Sequence, residues 1–306
     1  MSAFNLEKPA TIVGLGEVLW DVFPDGPRFG GAPANFACSA AELAGDCADV
    51  FMVGAIGADD LGRRAVLSLR EHGVDPSYIS VVEQPTGQVL VNFDAAGHPS
   101  YEIASDTAWD NVPTSDAVLQ LATRSDAVCF GTLAQRCDTT RRTIHEFIRR
   151  APTSCLRILD INLRPPFWSE TVVIEALQLA NVLKLNDAEL AIVGEMLQWQ
   201  GTEGGLLQQL MDQFSIELVA LTRGAEGALL MTKSGDSSES PSHSIAVADT
   251  VGAGDAFTAA LAIGLLNGLP LAAINAWANR VAAFVCSQPG ATPKLPAELH
   301  LEQSLL

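Results

Sequence analysis

Residues 249–257 read Asp249-Thr250-Val251-Gly252-Ala253-Gly254-Asp255-Ala256-Phe257. A short apolar run, residues 245–247, comes before them, and residues 256–266 carry no charge and are helix formers at most positions. An apolar run without a polar face is typical of a buried helix. The stretch therefore predicts a turn of small residues that leads into a buried helix.

This turn has the properties of an anion site. Gly252, Ala253 and Gly254 allow backbone N–H groups to approach a ligand, and a helix N-terminus carries partial positive charge. Asp255 follows at once, and its carboxylate would repel a phosphate unless it faced the attacking group. The turn thus predicts phosphoryl transfer, with Asp255 accepting a hydroxyl proton. An ordinary glycine-rich turn with an aspartate in the first helical turn explains the same residues, so the turn alone leaves both explanations open.

Composition and net charge limit the kinds of partner that this protein is expected to bind. The 306 residues are 48% hydrophobic and 18% charged, which is typical of a globular protein rather than a disordered one. Acidic residues outnumber basic ones 36 to 18, giving a net charge of −18. Nucleic acids and anionic membranes require a basic surface, so we expect neither as a partner.

The sequence shows no targeting or membrane segment. Residues 1–9 lack an apolar core behind a positive start, so no signal peptide is predicted. No uninterrupted apolar run reaches the length of a transmembrane helix. None of the six cysteines forms a C-x-x-C pair, which favours reduced, structural cysteines and a cytoplasmic protein.

Strand and helix patterns alternate along most of the chain. The expected fold is α/β: one domain over residues 1–306, with a doubly wound, mainly parallel sheet flanked by helices. Hairpin patterns interrupt the alternation, and we expect a small β-sheet lid from about residues 17–30 and 79–108. Residues 234–242 are polar and rich in glycine and serine, which predicts a loop.

Polar residues cluster after several predicted strands, where the carboxyl ends of a parallel sheet hold its ligand site. The clusters are Asn162 and Arg164; Lys184, Asn186 and Glu189; and Thr222, Arg223 and Gly224. Near the N-terminus, Gly30-Gly31-Ala32-Pro33-Ala34-Asn35 precedes an alanine-rich helix. Asn35 offers both a donor and an acceptor, as a sugar hydroxyl requires, although a flexible loop explains the same residues.

Three other features have competing explanations. Gly14-x-Gly16 begins a dinucleotide fingerprint, but Leu19 occupies the third glycine position and no helix follows directly. Trp20 and Trp109 lie near the predicted lid. Hydrophobic packing explains each of them more simply than stacking on a sugar does. Glu17 either binds a sugar or lines a strand edge, and we do not place it among the site residues.

The chain resembles the ribokinase/fructokinase family of carbohydrate kinases, from Thr11 to Pro296. Gly30 to Asn35 is similar to the family's sugar-binding motif in its fructokinase-like form, and residues 249–262 are similar to its C-terminal signature. Residues 185–189 look like the Asn-x-x-Glu element, and residues 160–165 are similar to fructokinases. The resemblance implies a ribokinase-like fold.

The resemblance also implies roles for individual residues. Asp255 would be the base, and Gly252, Ala253 and Gly254 the anion hole for the γ-phosphoryl group. The sugar would be held by Asp21, Gly31 and Asn35, with Arg164 near the sugar or the phosphate. The nucleotide and its magnesium would be held by Lys184, Asn186, Glu189, Thr222, Gly224 and Asn279, with Asn186 and Glu189 ordering Mg²⁺ and its water.

Members of this family often bind potassium through backbone carbonyls. The matching positions are Asp249, Val251, Val285, Gln288 and Gly290. Lys294 stands where related sequences carry a small or hydroxyl residue, and its ammonium is compatible with a cation site only if the side chain points away.

The expected function is an ATP-dependent sugar kinase acting on a primary hydroxyl, with fructose as the favoured acceptor. Ribose, 2-keto-3-deoxygluconate or a nucleoside fits the same motifs. A non-catalytic sugar-binding protein and a nicotinamide-dependent oxidoreductase are the alternatives from other classes. The lid would also suit a homodimer interface.

Overall fold

A large sheet forms the centre of the protein in the computed structural model, which describes residues 9–93, 99–243 and 245–301. The strands β1–β13 are, in chain order, Ala10–Leu15, Leu19–Phe23, Gly26–Gly30, Ala48–Gly57, Ile79–Val82, Gly87–Phe93, Pro99–Ile103, Ala127–Phe130, Leu156–Asp160, Val182–Asn186, Leu218–Thr222, Ala228–Thr232 and Ser237–Ser240. The helices α1–α9 are Ala32–Ala44, Asp60–Glu71, Asp116–Ala122, Asp138–Arg150, Glu170–Leu179, Asp187–Met196, Glu203–Phe214, Ala253–Leu266 and Leu271–Cys286.

The large sheet has nine strands in the order β13-β12-β11-β10-β9-β8-β1-β4-β5. Strands from β11 to β5 run parallel, whereas β12 and β13 add antiparallel strands at one edge. From β1 the chain builds toward β4 on one side and toward β8 on the other. A ligand crevice is expected beyond the carboxyl ends of strands at such a switch point.

Helices cover both faces of this sheet because its strands are apolar on both faces. Ile12 packs in the cluster that contains α1, α8 and α9, whereas its neighbour Val13 packs in the cluster on the other side, with α4, α5 and α7. Helix α8, which follows the glycine turn, is buried from Ala256 to Gly264. The predicted doubly wound α/β fold and the buried helix are confirmed.

The second, smaller sheet has the order β3-β2-β6-β7, with β2 and β6 parallel and the outer pairs antiparallel. Its predicted bounds need a correction. Strand β5 was expected in the lid, but it pairs with β4 at the edge of the large sheet. The sequence of a four-residue apolar strand does not indicate which sheet it joins, so the pattern could not assign β5 to the large sheet rather than to the small one. Residues 94–98 of the predicted lid lie outside the described residues.

The two tryptophans near the small sheet are both buried. Trp20 in β2 donates its indole N–H to the Leu61 carbonyl at 3.0 Å and lies under the guanidinium of Arg64. Trp109 is also buried, with the guanidinium of Arg136 over its ring. Both tryptophans therefore pack rather than stack on a ligand. A dimer through this sheet stays a prediction.

Candidate active site

The glycine turn forms the N-terminus of α8. Gly252 is the N-cap, with φ 79°, a left-handed conformation that favours glycine. It also lies against the chain, since a Cβ at this position would be 2.2 Å from the Ala291 carbonyl oxygen. The first N–H groups of a helix have no acceptor within the helix. The turn therefore has the local geometry that the sequence predicts, and its binding of a γ-phosphoryl group stays a prediction.

Asp255 lies in the first turn of α8 and connects this helix to α1. Its Oδ2 accepts a hydrogen bond from the Asn35 side-chain amide at 2.8 Å, across 220 positions of the sequence. Burial raises the pKa of Asp255 to about 6, and Asp160 adds to the rise, whereas Asn35, Lys184 and Arg164 oppose it. The two motifs predicted to act together therefore meet at one carboxyl group, which is ionised near neutral pH.

A buried ion pair between Lys184 and Asp160 lies next to the glycine turn. Lys184 Nζ donates to Asp160 Oδ1 at 3.0 Å, and the Thr258 hydroxyl donates to Asp160 Oδ2 at 3.1 Å. A Cβ at Gly254 would be 2.9 Å from Lys184 Nζ. Burial opposes the charge on Lys184, but nearby carboxylates outweigh it and raise the pKa of the amine. Lys184 thus places a positive charge beneath the anion hole, and its direct contact with a nucleotide stays a prediction.

Two of the predicted sugar residues, Asp21 and Gly31, lie near the start of α1, the helix that carries Asn35. A Cβ at Gly30 would be 2.7 Å from Asp21 Oδ2, and Gly31 is the N-cap of α1 with φ 108°. Burial raises the pKa of Asp21 to about 6, with Arg164 as the main opposing charge. Arg164 is exposed after β9 and acts on the carboxyls of Asp21 and Asp255. Asp21 thus lies against Gly30 at the start of the helix that carries Asn35, and the binding of a sugar by these residues stays a prediction.

Sequence reasoning missed two residues at this site. Arg28 lies opposite Asp21 in the small sheet, and its guanidinium is 3.9 Å from Asp249 Oδ2. Glu17, which was left outside the site, lies under Gly31, because a Cβ at Gly31 would be 2.5 Å from the Glu17 carbonyl oxygen. Strand pairing could have identified Arg28. Glu17 follows β1 after Gly16, but its position in the sequence does not show that its carboxyl is buried without a partner.

The Asn186 and Glu189 pair forms a capping box at the start of α6. The Asn186 side chain accepts from the Glu189 amide at 2.8 Å, and Glu189 Oε2 accepts from the Asn186 amide at 2.8 Å. Glu189 Oε1 accepts from the Leu163 amide at 2.9 Å. Burial raises the pKa of Glu189 against the opposing charge of Lys184. The Asn-x-x-Glu spacing thus has a structural use, and the predicted magnesium role stays a prediction.

The other predicted nucleotide residues are spread over two elements. Thr222 ends β11, and Gly224 follows with φ 54° and open space around its Cα. Asn279 is buried in α9, where its amide nitrogen donates to the carbonyl and the side chain of Asn275. Only the side-chain oxygen of Asn279 would therefore be left to contact an adenosine, and this role stays a prediction.

The predicted cation positions lie in two neighbouring segments, residues 249–251 before α8 and residues 285–290 at the end of α9. Asp249 Oδ1 accepts from the Val251 amide at 3.0 Å and Oδ2 from the Gly290 amide at 3.3 Å. The Val285 carbonyl, at the end of α9, accepts from the Gln288 amide at 3.0 Å. Lys294 points away from these segments and donates to the Glu71 carbonyl at 2.7 Å. Its charge therefore does not occupy the predicted site.

Two kinds of feature are absent from residues 9–93, 99–243 and 245–301. No helix there is long and apolar enough to cross a membrane. No three histidine, cysteine or carboxylate residues there form a group able to hold a metal ion. A monovalent cation held by backbone carbonyls is a different kind of site.

The chain is similar to a known protein family and to several known proteins. Residues 25–298 match the description of a pfkB family carbohydrate kinase. A fructokinase of Klebsiella pneumoniae is 30% identical over 320 residues, covering 95% of this chain and 98% of the relative. A crystal structure of fructokinase from Vibrio cholerae O395 with fructose, ADP and calcium ion bound has a TM-score of 0.79 at 26% identity, covering 95% and 97% of the two chains. A double mutant of fructokinase from that organism, with fructose, ADP and potassium ion bound, has a TM-score of 0.79 at 25% identity, covering 96% and 98%.

Proposed function

The chain belongs to the pfkB family of carbohydrate kinases, and on that premise we propose that it transfers the γ-phosphoryl group of ATP to a primary hydroxyl of fructose. The observation that carries the proposal is the hydrogen bond between Asn35 and Asp255. It joins the residue that would hold the sugar to the residue that would take its proton, at the N-terminus of a helix suited to phosphate.

In the proposed reaction the sugar hydroxyl oxygen forms a bond to the γ-phosphorus as the bond to the β–γ bridging oxygen breaks and ADP leaves. The hydroxyl proton passes to Asp255, which is ionised above its pKa of about 6. The N–H groups at the start of α8 stabilise the charge on the transferred group, and Lys184 adds a positive charge beneath them. Positioned charge suffices because this transition state is loose.

The nucleotide would lie toward the ends of β10 and β11, with its phosphates near Thr222 and Gly224. Magnesium bound to the ATP neutralises part of the triphosphate charge. Asn186 and Glu189 fit a role in ordering its water, since each Glu189 oxygen accepts one backbone amide and carboxylate oxygens have capacity for more.

A panel of acceptors tests the substrate. With Mg-ATP we expect ADP release on fructose to exceed that on ribose, glucose, 2-keto-3-deoxygluconate and adenosine, because the sugar motif is fructokinase-like. Analysis of the product by ³¹P NMR should show a primary phosphate ester, and EDTA should stop turnover. Preferred turnover of another sugar would retain the kinase and reject fructose. Sugar binding without turnover would favour a non-catalytic binding protein.

We also propose a potassium site at Asp249, Val251, Val285, Gln288 and Gly290. Its support is the loop at the negative end of α9, which lies against the anion-hole turn through Ala291. A cation there would order the turn without touching substrate.

The cation proposal predicts a salt effect on kcat. Replacing K⁺ by tetramethylammonium at equal ionic strength should lower kcat several-fold, because the larger ion does not fit among carbonyls. Lys294→Ala is the matched control and should leave this response unchanged, since Lys294 is held by Glu42 and the Glu71 carbonyl. Equal rates in the two salts would rule out the site.

A further inference from the structure

Glu17 occupies a central place that the proposed mechanism does not use. It follows β1 at the carboxyl edge of the large sheet, where the strand order switches between β1 and β8. A Cβ at Gly31 would be 2.5 Å from the Glu17 carbonyl oxygen and 3.5 Å from its Cγ. The side chain therefore starts directly beneath the glycine that opens the predicted sugar loop.

The Glu17 carboxyl is buried and incompletely satisfied. The residue is 2% exposed, and Oε2 has no hydrogen-bond partner within the part of the chain that the structure describes. Burial raises the pKa of Glu17 to about 7, and its own backbone amide is the main opposing influence. An unpartnered buried carboxyl is costly, and native proteins usually provide it with a partner.

Glu189 provides an internal comparison. It is the same residue type, 5% exposed, and lies at the carboxyl edge of the same sheet. Both of its oxygens accept hydrogen bonds from backbone amides. A glutamate buried for structural reasons is thus satisfied by the chain in this protein, whereas Glu17 is not, which points to a partner that arrives from outside.

The charges that face Glu17 come from three different elements. Asp255 on α8 raises its pKa, and Arg164 after β9 and Arg136 after β8 lower it. Arg136 is held elsewhere, because its Nε and Nη2 donate to the two Asp110 oxygens at 2.7 Å. Arg164 donates to the Leu163 carbonyl at 3.2 Å, and the buried Nη1 of Arg136 has no hydrogen-bond partner within the described residues. Glu17 therefore lies within electrostatic range of the proposed base, Asp255.

A second unsatisfied atom belongs to the same site. Asn35 is 3% exposed, and its Oδ1 also has no partner among the described residues, although its amide nitrogen is bonded to Asp255. A buried carboxyl and a buried amide oxygen, on either side of Gly31, fit a ligand with more than one hydroxyl group, since each oxygen would accept a hydrogen bond from a different hydroxyl.

We propose that the Glu17 carboxyl binds a hydroxyl of the acceptor sugar other than the one phosphorylated, and that it thereby selects among sugars. This inference rests on the proposed function, since it places the sugar between Gly31 and Asp255. A hydrogen bond to a carboxylate is stronger than one between neutral groups, so loss of the matching hydroxyl would weaken binding more than loss of a hydroxyl at the rim.

Calorimetric binding of the preferred sugar and its monodeoxy analogues to the ATP-free enzyme tests this. Glu17→Gln should weaken binding of the parent sugar by about 10- to 100-fold, while Kd for ATP stays unchanged. One deoxy analogue, which lacks the hydroxyl that Glu17 binds, should bind the wild type as weakly as the parent sugar binds Glu17→Gln. The Glu17→Gln variant should bind that analogue and the parent sugar equally well. Glu102→Gln removes an exposed carboxylate from the small sheet and should change neither value.

The outcomes separate the two hypotheses. If the wild type binds no sugar, the proposed function itself fails. If it binds sugar and Glu17→Gln keeps the wild-type ratio for every deoxy analogue, the role of Glu17 is overturned. Should Glu17→Gln fail to fold, Glu17→Asp is the second variant, because it keeps the charge on a side chain one methylene group shorter. It should also lose the preference for the parent sugar over that deoxy analogue. An unchanged preference would equally reject the inference.

Discussion

Asp255→Asn is expected to lower kcat by about 10²- to 10⁴-fold, the range that general-base catalysis contributes. Asparagine preserves the shape of the side chain but does not accept the hydroxyl proton. Its Oδ1 remains able to accept from Asn35, whose amide donates to Asp255 at 2.8 Å, so sugar binding should change little. Steady-state kinetics at saturating sugar and ATP measure the loss, and calorimetry measures the retained affinity.

The same residue predicts a pH dependence. The pKa of Asp255 is raised to about 6, so its basic form predominates above that pH and kcat should fall about tenfold per pH unit below it. Residual turnover by Asp255→Asn should lack this decline. Asp21 and Glu17 also have raised pKa values, to about 6 and about 7, and saturating sugar separates their effect on binding from kcat.

Asp212→Asn provides the control, because it makes the same charge change on the exposed side of α7. It should retain wild-type kcat and the wild-type pH profile. A kcat for Asp255→Asn within tenfold of the wild type would mean that another group takes the proton, and Asp255 would then be a residue that only orders the turn.

The glycine turn and the alternating strands could be predicted because each depends on local chemistry. Gly252 needs a conformation with positive φ, and α8 carries no charge after Asp255 because it is buried from Ala256 to Gly264. The family, which the resemblance implied, is confirmed over residues 25–298. These features need no knowledge of distant contacts.

The remainder depended on contacts that no local pattern encodes. Ser237–Ser240 was predicted as loop but forms β13, since four polar residues carry no apolar alternation and pair only because β12 is available. Lys184 was grouped with the polar residues after a predicted strand, but it lies within β10, where its ion pair with Asp160 joins neighbouring strands. Glu17 has the same limitation, because burial without a partner is a property of the folded chain.

Gly252→Ala is expected to lower kcat by about 10²- to 10³-fold, comparable to the loss of an anion-hole donor. The added Cβ would be 2.2 Å from the Ala291 carbonyl oxygen and 2.7 Å from its Cα. Both are backbone atoms and cannot rotate away, so the turn must move and carry its N–H groups off the position of the γ-phosphoryl group. Kinetics at saturating substrates test the loss.

Part of this effect could come from the conformation alone, since alanine is disfavoured at φ 79°. Gly268→Ala separates the two causes: Gly268 has φ 61° but nothing within 4 Å of the added Cβ. It should lower the free energy of unfolding by about 1 kcal/mol and leave kcat unchanged. If Gly252→Ala behaved like Gly268→Ala, contact with Ala291 would not position the turn. A loss of kcat in Gly252→Ala but not in Gly268→Ala would instead show that contact with the Ala291 backbone positions the anion hole relative to Asp255.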